Sequence, residues 1–130
     1  MFVIEREISK QELEPLYHHV HHAHAIVILE EARLSYLKQI GFPNQKLIEQ
    51  GLFLVLTRIS VRYLRELLAG VVEVTCENPI VKSRLMRVDQ RILLSSGEPA
   101  IEAQVDFMCL QRDKGHAVVP PRAFKEAFLG

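Results

Sequence analysis

Ile26, Val27, Ile28 and Leu29 are four consecutive apolar residues inside a stretch whose wider spacing is that of a helix. A helix formed here carries apolar side chains around most of its circumference and has to be almost enclosed. That requirement limits the fold more than any other feature. From about residue 22 to 40 the apolar positions Ile26, Leu29, Ala32, Tyr36, Leu37 and Ile40 recur at intervals of three and four. Gly41 supplies a left-handed stop, and Pro43 cannot continue the helix.

What encloses the helix is legible on either side of it. Residues 2 to 8 read as a short first strand, followed by a polar stretch up to Pro15. After a short helix around residues 44 to 50, Gly51 opens a long strand whose second half alternates Ile59, Val61 and Tyr63 against Arg58, Ser60 and Arg62. Gly70 opens Val71 to Glu77, with Asn78-Pro79 read as its stop, and residues 80 to 94 form another β-rich run. Residues 100 to 112 are a further strand, Asp113-Lys114-Gly115 turns the chain, and Pro120-Pro121 precedes a short helix. Three or four long strands joined by short turns imply an antiparallel sheet with the helix on one face, an α+β class. An antiparallel β-sheet wrapped around one long central α-helix is the shape of a hotdog fold.

Composition narrows the partners. The 130 residues, 48% hydrophobic, fit a single domain over 1–130, and at this size association into a homodimer or homotetramer is a natural further source of stability. The 16 basic and 16 acidic residues are spread along the chain, so there is no basic stripe for nucleic acid. No apolar run approaches the ~20 residues that cross a bilayer. The expectation is a cytoplasmic protein with no nucleic-acid or membrane partner. Cys76 and Cys109 lie in apolar strand-like stretches as small hydrophobes, with neither metal spacing nor a disulfide framework.

His19-Val20-His21-His22-Ala23, followed by Glu30-Glu31-Ala32-Arg33, Tyr36-Leu37 and Gly41, resembles the signature of 4-hydroxybenzoyl-CoA-thioesterase-like hotdog proteins. The usual pattern there is Gly-His-Val-Asn-Asn, a tyrosine, then Glu-Glu-Ala-Arg. Val61-Arg62-Tyr63-Leu64, Leu67 and Gly70-Val71-Val72-Glu73-Val74 look like the family's second-strand ending, turn and third strand. The resemblance runs from about residue 13 to the C-terminus. It implies a thioesterase acting on an acyl-CoA or acyl-carrier-protein thioester in a pocket between two subunits, with the carbonyl held at the helix N-terminus. The family's aspartate, four residues before the histidine, falls at Pro15; Glu14 precedes it, and a one-residue shift of the loop brings its carboxylate to the same place. His18 stands where the pattern has glycine, His21 and His22 where it has asparagines, and Ala25 where it has tyrosine.

Thioester hydrolysis needs a polarised carbonyl and a carboxylate or an activated water. The first turn of a helix leaves amides unpaired and favours negative charge, so the N–H groups of His21, His22 and Ala23 are the oxyanion candidates. Glu14 or His19 is the catalytic base; the alternative for Glu14 is a solvated loop acid. The other histidines either line the pocket, cap the helix or sit at a subunit contact. No Cys, Asp or Glu lies at a zinc spacing within the cluster, so neither a metal nor a cofactor is expected. Arg33 either faces the substrate or pairs with Glu30 or a sheet carboxylate. Glu30 and Glu31 point about 100° apart and cannot be a working pair. The run Leu52 to Leu56 suits an acyl or aromatic chain, or plain core. Two other functions share these residues: a hotdog protein that binds an acyl group without hydrolysis, and a lyase or dehydratase using His19 and Glu14 for proton abstraction.

Overall fold

The structure, a computed structural model, describes residues 1–130. Strand β1 (Phe2–Ile8) leads through a 3-10 turn at Lys10–Glu12 to the long helix α1 (His22–Gln39) and the short helix α2 (Asn44–Glu49). Strands β2 (Leu52–Tyr63), β3 (Gly70–Lys82), β4 (Leu85–Leu93), β5 (Pro99–Gln111) and β6 (His116–Val118) follow, and α3 (Arg122–Leu129) closes the chain. The sheet order is β1-β3-β4-β5-β2, with β6 on β5, and every pairing is antiparallel. This is the expected hotdog arrangement of one long helix against an antiparallel sheet.

Period two puts Met86, Val88, Gln90 and Ile92 of β4 on the inner face, all of them buried. Against that face α1 buries Ala25, Ile28, Leu29, Ala32 and Leu37. Ile28 and Leu29 are fully enclosed, so truncating either to alanine costs about 2 to 5 kcal/mol. The helix ends as its sequence demands: Gly41 has φ +87°, its N–H donates to the Lys38 carbonyl and that of Phe42 to the Leu37 carbonyl, a Schellman motif. Arg6 of β1 holds the other flank, donating to Glu31 at 2.9 Å and to Glu12 at 2.6 Å.

Three expectations are corrected here. The helix is not enclosed all round: Val27 and Leu34 are 46% and 42% exposed, because the sheet covers one side only. Asn78-Pro79 does not end a strand, since β3 runs on to Lys82. The ladder shifts register between Glu77 and Ile80 and Asn78 takes φ +50°, so the proline's missing N–H falls in a bulge. The chain also makes β6, a strand the sequence did not announce, beside β5 after the turn at Gly115.

Candidate active site

The segment leading into α1 is a closed loop. Leu13 and Val20 pair as an isolated bridge, the Glu14 N–H donates to the His19 carbonyl at 2.7 Å, and the His18 N–H returns to the Glu14 carbonyl at 2.8 Å. Closing it requires a left-handed residue, and His18 supplies it at φ +59°, which accounts for the glycine of the family pattern at this position. Glu14 therefore stands beside His19 in the backbone. Its carboxylate is turned to the loop, accepting from the N–H groups of Leu16 at 2.9 Å and Tyr17 at 2.6 Å.

At the helix start His21 is the N-cap, and its Nδ1 accepts from the Ala23 N–H at 3.1 Å. Ala23 is thereby removed from the three expected oxyanion donors, because its amide is already satisfied. The N–H groups of His21 and His22 have no hydrogen-bond partner in the chain. They are the two amides a ligand can take.

These groups border a cleft of about 770 Å³ lined by Glu14, His19, His21, His22, Tyr63 and Glu66, among others. The Tyr63 hydroxyl donates to the His22 carbonyl at 2.9 Å, and the Val20 N–H donates to the Leu67 carbonyl at 2.8 Å. Those two bonds hold the β2 end and the following loop against the helix start. The second brings Glu66 to His19, with Oε1 3.5 Å from Nδ1. Nothing in the sequence marks Glu66; only the contact of Val20 with Leu67 does. His24 faces away from the cleft, its Nε2 3.0 Å from Glu12 Oε1, and no three His, Cys, Asp or Glu side chains converge as a metal set would.

Arg33 is not part of this constellation. It stands eleven residues beyond His22, roughly 16 Å along the helix axis. There it lines a separate cavity of about 120 Å³ with Leu54, Leu56, Cys76 and Phe107. Neither ion pair considered for it forms: its Nη1 donates to the Gln90 amide oxygen at 3.0 Å. Burial pulls the guanidinium below its ordinary pKa and pushes the Cys76 thiol up to about 12. Gln90 is fully buried and donates in turn to the Leu29 carbonyl at 2.9 Å, so Arg33 is tied to a neutral network. Of the run Leu52 to Leu56, only Leu52 is buried; Phe53, Val55 and Leu56 are exposed on the outermost strand.

Helix, sheet order and cleft together define a protein of the hotdog class. The family model of the Thioesterase-like superfamily matches residues 15–128, and the chain belongs to that family. It is 29% identical over 107 residues to a Synechocystis protein with a provisional esterase name, covering 78% of this chain and 64% of that one. The chain thus spans less than two thirds of that relative's length. Among solved structures, a hypothetical protein of Aquifex aeolicus superposes with a TM-score of 0.90 at 22% identity, covering 98% of this chain and 99% of the other. A 1,4-dihydroxy-2-naphthoyl-CoA thioesterase of Synechocystis superposes with a TM-score of 0.84 at 19% identity, covering 98% and 94%.

Proposed function

We propose that this protein is a cytoplasmic thioesterase, one domain over residues 1–130, that hydrolyses an acyl-CoA or acyl-carrier-protein thioester. The observation that carries the reading is the pair of unpartnered amides of His21 and His22 at the start of α1, in one cleft with His19. A thioester carbonyl seated there receives two N–H donors and the positive end of the helix dipole as charge develops on its oxygen. A base takes a proton from water, the oxygen attacks the carbonyl carbon, and the C–S bond breaks as the thiolate leaves and is protonated. His19 and Glu14 are the two candidates for the base, and Glu14 is the more committed to its own loop. CoA as the carrier is supported by the naphthoyl-CoA thioesterase of the same fold.

The working unit in this reading is a homodimer or homotetramer with the cleft at a subunit boundary. Support comes from β2, whose outer edge is unpaired over twelve residues, and from the exposed Val27, Leu34, Phe53, Val55 and Leu56. Thiol release is measured from short, medium, long and aromatic acyl-CoA and from acyl-carrier protein, with Glu14→Gln and His19→Ala alongside. Turnover abolished in His19→Ala and retained in Glu14→Gln is expected. Absence of turnover with every substrate overturns the reading and leaves an acyl-binding protein; a changed acyl chain on an intact thioester leaves a lyase or dehydratase.

A further inference from the structure

Histidine as base raises a question of orientation, because an imidazole presents one nitrogen to its substrate only when the other is held. In this chain the inner nitrogen of His19 is conspicuous: Nδ1 is buried and makes no hydrogen bond. The nearest acidic oxygen is Glu66 Oε1 at 3.5 Å, slightly beyond bonding distance. Tyr17 lies parallel to the imidazole, ring centroids 5.9 Å apart and planes within 13°.

Glu66 is on a loop fixed from both sides. Val20 donates to Leu67, whose side chain is buried, while the N–H groups of Leu64 and Arg65 both donate to the Ala100 carbonyl, at 2.8 and 3.1 Å. The loop backbone is thus anchored and only the Glu66 side chain, 70% exposed, is free to rotate. A small rotation brings it to hydrogen-bond length, as commonly happens when a loose catalytic contact tightens on substrate binding. The other charged groups of the cleft do not compete for Nδ1. Glu14 is turned to the Leu16 and Tyr17 amides, Arg65 is paired with Glu98 at 3.0 Å, and His21 Nδ1 holds the Ala23 amide.

We propose that Glu66 is the positioning residue of the site: it accepts the Nδ1 proton of His19, fixes that tautomer, and leaves Nε2 to take the proton from water. The carboxylate missing at Pro15 is then replaced from a loop some fifty residues further along the chain, one step removed from the substrate. This rests on the thioesterase reading above. As Nε2 is protonated the adjacent carboxylate stabilises the imidazolium, the arrangement that gives carboxylate-supported histidines their basicity.

The test compares wild type with Glu66→Gln, Glu66→Asp, His19→Ala and the double variant His19→Ala/Glu66→Gln. Glu66 is exposed, so thermal melts are expected to coincide. Glu66→Gln is expected to lower kcat on the order of tenfold with KM within about twofold, and to move the acid limb of the pH profile to lower pH. Glu66→Asp restores part of kcat, and the double variant is no worse than His19→Ala. Wild-type kcat and an unmoved acid limb in Glu66→Gln, with His19→Ala impaired, overturn the pairing and leave the thioesterase standing. Nitrogen NMR of the His19 imidazole decides independently of turnover. The Nδ1–H tautomer in wild type, lost or depleted in Glu66→Gln, supports the pairing; identical spectra in both sink it, whether or not any thioester is cleaved.

Discussion

The Tyr63 hydroxyl donates to the His22 carbonyl at 2.9 Å, so the last residue of β2 is bonded to the first residue of α1. That bond sets the distance between the free amides of the helix and the strand wall of the cleft. Tyr63→Phe keeps the ring and removes the bond. It is expected to lower stability by at most about 1 kcal/mol, because the group is half exposed. In the thioester assay it should reduce kcat severalfold with KM little changed. An unaltered kcat would show that the helix start holds its own position.

His18 closes the loop from the left-handed region at φ +59°. A β-branched side chain tolerates that conformation worst, and glycine best. His18→Val is expected to cost about 1 to 2 kcal/mol. His18→Gly should be neutral within about 0.5 kcal/mol, since relief of strain is offset by a freer unfolded chain. Urea midpoints of the two variants check the order; a His18→Val as stable as wild type would mean that the loop does not need this geometry.

Arg6 holds the Glu12 carboxyl well below the ordinary carboxylate range, chiefly through its hydrogen bonds. A carboxyl so depressed contributes stability that is complete above its unfolded value and is lost as pH falls toward its folded one. The difference in unfolding free energy between wild type and Glu12→Gln should be roughly 1 to 2 kcal/mol at about pH 5 and shrink below about 4.5. Urea titrations at a series of pH values measure it. A difference independent of pH down to 3 would remove the ion pair as its cause.

Several elements could be read directly from residue order, and their failures have local causes. The spacing of Ile26, Leu29, Ala32 and Leu37 gives α1, and Gly41 its end, because both are matters of one turn of backbone. Asn78-Pro79 misled because a proline without an N–H marks either a stop or a bulge, and only the partner strand decides. The Ala23 amide reads as free from the sequence because its cap is an imidazole, where serine, threonine or an acid is usual. As an ion pair, Arg33 reads from the sequence as the partner of Glu30 or a sheet carboxylate, whereas its acceptor is Gln90, 57 residues away. Glu66 was invisible for the same reason: it reaches His19 only through the docking of Leu67 on Val20.

The position of β2 also orders events during synthesis. Residues 52–63 leave the ribosome before β3, β4 and β5, yet their only ladder partner is β5, residues 99–111. Until that strand emerges, Leu52-Phe53-Leu54-Val55-Leu56 has no ladder partner, while β1 and β3 can already pair. The nascent chain therefore carries an apolar strand without its ladder partner from the completion of β2 until residues 99–111 are made, and this interval is when a chaperone, or a neighbouring chain on the same messenger, would meet it.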